Sequence, residues 1–192
     1  SDWSSLPSGT KSYQDVSMSA DGSIVAIANQ NQKVSLSTDG GSSFAEVGNS
    51  ISGNSHIEVS EDGTIIMAQG YYGEVYISID STRTHTSTWA SKSSNLFGDG
   101  IDKLLAISGD NSVIMIADRQ SGNIVRSTDS GSTWEASTVN NPQGLTSAQQ
   151  TMWQSIDISG DGKYVVLSNY YALYTSSDFG VTLTPVVITT AA

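Results

Sequence analysis

The chain has 192 residues, no cysteine, only 14% charged residues and a net charge of −11, with a pI near 4.2. Disulfide frameworks and thiolate metal sites are thereby excluded, and nucleic acid is not expected as a partner, because phosphate binding needs clustered Lys and Arg. No apolar run approaches the ~20 residues of a membrane-spanning helix, so no membrane span is expected. Richness in Ser, Thr, Gly and Asn suits an extracellular or cell-surface all-β protein.

In chain order, residues 1–7 (SDWSSLP) read as a surplus N-terminal strand, with Asp2, Trp3 and Leu6 as candidate assembly residues. Four repeats follow, over about 10–48, 52–91, 101–138 and 150–188, and each divides into four short strands. The first uses 13–18, 23–29, 33–37 and 43–47, and the second 55–60, 64–69, 74–78 and 88–91. The third uses 103–108, 112–117, 123–127 and 133–137, and the fourth 153–159, 163–168, 172–176 and 182–187. Second strands are the most continuously apolar (IVAIA, IIMA, VIMIA, YVVL), which places them in the buried middle of each sheet. No segment carries sustained helical periodicity with caps.

Two motifs recur in register. SADGSIVAIA (19–28), SEDGTIIMAQ (60–69), SGDNSVIMIA (108–117) and SGDGKYVVLS (159–168) each place an Asp-Gly or Asp-Asn hairpin before an apolar strand. A second motif follows 17 to 19 residues later: STDGGSSF (37–44), SIDSTRTHTSTW (78–89), STDSGSTW (127–134) and SSDFGVTL (176–183). The Asp accepts hydrogen bonds from the turn's own N–H groups, the Gly takes φ > 0, and the aromatic opens the next strand. The copy at 78–89 lacks the Gly and is longer. Motif periods of 41 to 51 residues point to propeller blades.

The second motif resembles the Asp-box, the S-x-D-x-G-x-x-W turn of bacterial neuraminidase repeats found in sialidases, sortilin-type receptors, some glycosidases and photosystem assembly factors. The resemblance implies an all-β fold of four Asp-box propeller blades with four antiparallel strands each, as a closed ring or an arc completed by another chain. Asp39, Asp80, Asp129 and Asp178 are then structural turn residues. A sialidase would need three converging arginines, and of the three present Arg83 and Arg126 sit beside the Asp-boxes. That activity is not expected.

First-to-second and third-to-fourth turns share one end of such blades, leaving the opposite end for function. Candidate contacts there, for ligand or subunit, are Tyr71, Tyr72, Arg119, Gln120, Trp153, Tyr170 and Tyr171, and the two Tyr-Tyr pairs occupy matching positions in repeats two and four. Exposed aromatic rings can stack on sugars, and they also cover sheet edges and subunit contacts. Glu74, Asp99, Asp102 and Asp118 are acids near that end, read first as solvated surface carboxylates. No catalytic, metal or cofactor site is recognisable. The expected function is a non-catalytic, extracellular structural or interaction module that assembles with copies of itself, with filaments as one outcome. A lectin-like glycan-binding propeller is the alternative, and a glycoside hydrolase-related domain the third.

Overall fold

Apolar alternation, interrupted every few residues by Ser-x-Asp turns, produces seventeen strands among the described residues of the computed structural model. Those residues are 12–30, 33–48, 51, 56–70, 72–86, 89–92, 102–141 and 151–186. The first sheet holds β1 (Tyr13–Met18), β2 (Val25–Asn29), β3 (Val34–Ser37) and β4 (Ala45–Val47). The second holds β5 (His56–Val59), β6 (Ile65–Gln69), β7 (Val75–Ile79) and β8 (Trp89–Ser91). β9 (Lys103–Ile107), β10 (Ile114–Asp118), β11 (Ile124–Ser127) and β12 (Glu135–Ala136) make the third. The fourth contains β14 (Ser155–Ile158), β15 (Val165–Ser168), β16 (Leu173–Ser176) and β17 (Thr182–Val186). Each is an antiparallel meander in chain order. The innermost strands pack in succession, β1 on β5, β5 on β9, β9 on β14, so the sheets are propeller blades around an axis.

One strand departs from the expected four per blade. β13 (Thr138–Val139) leaves the third blade and pairs in parallel with Thr182 and Leu183 of β17, making the fourth sheet five-stranded. Thr138 N–H donates to Val181 O at 2.8 Å and Asn140 N–H to Leu183 O at 2.8 Å, so the chain covers part of its own last edge. The surplus strand expected at Asp2, Trp3 and Leu6 lies outside the described residues.

The turns explain why the motifs repeat. Ser127 Oγ donates to Asp129 Oδ1 at 2.8 Å and accepts from Gly131 N–H at 2.8 Å, while Asp129 takes Thr133 N–H at 2.7 Å and Thr133 Oγ1–H at 2.6 Å. Ser130 and Gly131 both have φ > 0, at 55° and 80°. Asp39 and Asp178 repeat the arrangement with Ser37 and Ser176. In the long copy Asp80 binds Thr82 and His85 N–H, the latter in the role of Thr133 N–H. The His85 ring bonds Ser78 Oγ at 2.7 Å, and the His85 carbonyl accepts the Trp89 indole N–H at 2.8 Å, as Gly131 O accepts that of Trp134 at 3.1 Å. The hairpins between first and second strands use the same device: Ser19, Ser60, Ser108 and Ser159 each donate to the Asp two residues on.

Three apolar clusters fill the spaces between consecutive blades. Ile24, Ala26 and Ala28 of β2 and its lead-in meet Ile57, Val59, Ile66 and Ala68 of the second blade. Ile65 and Met67 then meet Ile114 and Ile116, and Val113, Met115 and Ala117 meet Ile158, Val165 and Leu167. Alternation along each second strand thus sends one set of side chains to the preceding blade and the other to the following one. Among the described residues no fourth cluster joins the last blade to the first, and β14 and β1 share no sheet. The ring is open.

Candidate functional site: an axial polar chain and two uncovered end faces

At the loop end of the axis, one chain of polar contacts crosses all four blades. His56 Nδ1 lies 3.3 Å from Asp15 Oδ2, joining β5 to β1, and His56 Nε2 lies 3.9 Å from Asp102 Oδ1. Asp102 Oδ2 accepts from Arg119 Nη1 at 2.7 Å, and Arg119 reaches the fourth blade by donating to Trp153 O at 2.7 Å and Gln154 Oε1 at 3.0 Å. Asp15 also accepts Ile57 N–H at 3.0 Å, and Ser17 Oγ accepts Val59 N–H at 3.0 Å, fixing the first blade on the second.

Below this chain a cavity of about 230 Å³ is lined by Asp15, His56, Glu58, Gln154 and Ser155 among others. Burial pushes the Glu58 carboxyl up to about 7, and the charges of Asp15 and Asp157 push the same way. The hydrogen bond to Asp15 raises His56 against the opposing effect of its burial. Burial works to raise Asp15, but the His56 ring and two N–H groups outweigh it and hold Asp15 below its ordinary value. Among the described residues no cluster of three or more His, Asp or Glu is arranged to hold a metal ion.

The contact residues expected from sequence separate into three groups. Tyr72, Tyr170 and Tyr171 are exposed at the loop end, as is Gln120, whose N–H donates to Asp118 Oδ1 at 2.8 Å. Tyr71 lies outside the described residues. Arg119 is half-buried and serves the axial chain. Trp153 is not a contact residue: it is fully buried between the third and fourth blades, donates its indole N–H to Gly122 O and meets Tyr174 edge-on at 5.3 Å. The three arginines do not converge. Arg83 pairs with Asp21, Arg119 with Asp102 and Arg126 with Glu135.

Residues the sequence reading passed over stand out at the two end blades. Five residues after each hairpin serine stand Ile24, Ile65, Val113 and Tyr164; the first three are at most 2% exposed and Tyr164 is 53% exposed. Seven residues after it stand Ala26, Met67, Met115 and Val166, all fully buried except Val166 at 44%. Tyr164 and Val166 occupy the side of β15 opposite buried Val165 and Leu167, where a following blade would lie. On β1, Asp15 and Ser17 turn toward the second blade, so Val16 and Met18, at 59% and 58% exposed, turn the other way. Their counterparts Ile57 and Val59 are buried against the preceding blade.

No protein-family model matches the sequence, and no curated protein does. Solved structures with β-propeller folds are similar in shape. A Niastella koreensis GH74 enzyme superposes with a TM-score of 0.65 at 21% identity, over 90% of this chain and 24% of that one. YCF48 from Cyanidioschyzon merolae gives 0.65 at 15% identity, over 97% and 59%. Kuenenia stuttgartiensis hydrazine synthase gives 0.65 at 16%, over 94% and 51%. These identities carry the fold alone. The chain spans between about a quarter and three-fifths of each of these relatives.

Proposed function

We propose that the chain is an Asp-box propeller module with a non-catalytic, structural role outside the cell, which assembles with copies of itself by covering its open blade faces. The observation that carries this is the pair of apolar end faces, Val16 with Met18 and Tyr164 with Val166, far more exposed than their buried or half-buried counterparts in the other blades. Exposed apolar patches of this kind favour a partner surface over water. The axial polar groups support a structural role, since Asp15, His56, Asp102, Arg119 and Gln154 bind one another across four blades. Light scattering across a concentration series tests the reading. The expected mass rises above that of the 20.2 kDa chain, and a constant single-chain mass contradicts it.

A second reading, glycan binding at the loop end, is favoured by the exposure of Tyr72, Tyr170 and Tyr171 there. Binding on a glycan array that is lost in Tyr170→Ser with Tyr171→Ser would support it. No binding by the wild-type chain would remove it.

A further inference from the structure

Resting on the self-assembly reading, we infer that the partner is a second copy docked head to tail, its first blade continuing the arc after the fourth blade of its neighbour. The contact repeats the packing already present between blades. At the turn end each blade is seated through a glycine. A Cβ on Gly63 would lie 2.8 Å from Ile24 Cγ1 of the preceding blade, and one on Gly162 would lie 2.7 Å from Val113 Cγ2. The third-to-fourth turns do the same: a Cβ on Gly180 would lie 2.6 Å from Met115 Sδ, and one on Gly131 would lie 3.0 Å from Ile77 Cδ1.

Among the described residues, the first blade has the same glycines with nothing seated on them. A Cβ on Gly22, the counterpart of Gly63 and Gly162, meets nothing within 4 Å, and neither does one on Gly41, the counterpart of Gly131 and Gly180. The side chains that would fill these two seats are supplied by the repeat itself. Tyr164 is the counterpart of Ile24 and Val113, and Val166 that of Met115. Both are exposed on the last blade. Tyr164 therefore belongs over Gly22 of the next copy and Val166 over Gly41, with Val16 and Met18 completing the face. A groove of about 500 Å³ beside Tyr164, lined by Thr175, Asp178, Thr182 and Thr184, receives the edge of the incoming blade. The two faces are unlike, so the contact is heterologous and passes from copy to copy, closing as a ring or running on as a filament.

Complementary blocked variants test this. Val16→Glu with Met18→Glu closes the head, and Tyr164→Glu with Val166→Glu closes the tail. All four side chains are exposed, so circular dichroism should match the wild type; Ser replacements at the same positions serve if either Glu pair unfolds. Each variant alone is expected at single-chain mass by light scattering, and their mixture as a one-to-one dimer that grows no further. If either variant alone dimerises, the interface is like-to-like: this inference fails and the self-assembly reading stands. If the wild type itself stays at single-chain mass, both fail.

Discussion

Single side chains in the turns set much of this fold. Ser127 is nearly fully buried and serves both Asp129 and Gly131 N–H, so Ser127→Ala orphans a buried turn donor. The expected loss is about 1–2 kcal/mol by urea denaturation, whereas exposed Ser42→Ala should stay within about 0.5 kcal/mol. Thr133 in one turn and Ser43 in another, through their hydroxyl and then N–H bonds, hold Asp129 and Asp39 at about 2. An unfolded Asp titrates near about 3.9, so these bonds favour folding above that pH and stop doing so as the pH falls toward about 2. Glu58 and His56 act with the opposite pH dependence. Glu58 is raised to about 7 against an ordinary value of 4.5, so the folded state holds the proton longer and stability falls as pH rises across that window. His56, raised by Asp15, adds stability below about 6.5 that is lost as the pH climbs through its higher folded value. Melting temperature should therefore drop between pH 5 and pH 8. Glu58→Gln should be near neutral at pH 5 and stabilising by about 1–3 kcal/mol at pH 8. A variant equal to wild type at both pH values would place the Glu58 carboxyl in water.

At the level of strands and turns, the recurring Ser-x-Asp pattern made the blades legible: the four expected strands of every blade form, most within two residues of their expected bounds. β13 was not legible, because a two-residue parallel strand has neither periodicity nor a turn signal of its own. Trp153 misled for a related reason. It stands at the start of the fourth repeat's expected first strand, on the end left for contacts, yet it lies just before β14 between two blades, where the ring is buried against Tyr174. The end faces were readable in principle. Aligning the hairpin serines puts Tyr164 in line with Ile24, Ile65 and Val113, and a Tyr there is out of character with three small aliphatics. Asp15, Glu58 and Asp157 were hidden, since only the curvature of the arc brings Asp15 and Glu58 to one cavity and Asp157 near enough to act on Glu58. The glycine seats give a test at this scale. Gly162→Ala places a methyl 2.7 Å from Val113 Cγ2 and is expected to cost about 2–4 kcal/mol. Gly22→Ala, with an open seat, carries only the strain of its positive φ, about 1 kcal/mol in dilute protein. Equal costs would mean that the first-blade seat is filled within the chain.

The whole molecule is an arc of four blades whose three internal interfaces obey one packing rule and whose two ends carry the unmatched halves of a fourth. Ring closure within the chain would require Tyr164 to reach Gly22, and the two remain apart. Continuing the arc through another copy satisfies both ends without repacking the three existing interfaces. The most direct measurement is hydroxyl-radical footprinting of the full chain at low and high concentration, read at individual tyrosines. Head-to-tail assembly predicts that Tyr164 becomes protected as concentration rises, while Tyr170 and Tyr171 stay labelled. Tyr164 labelling that is the same at both concentrations, in a sample whose folding is unchanged, would contradict it.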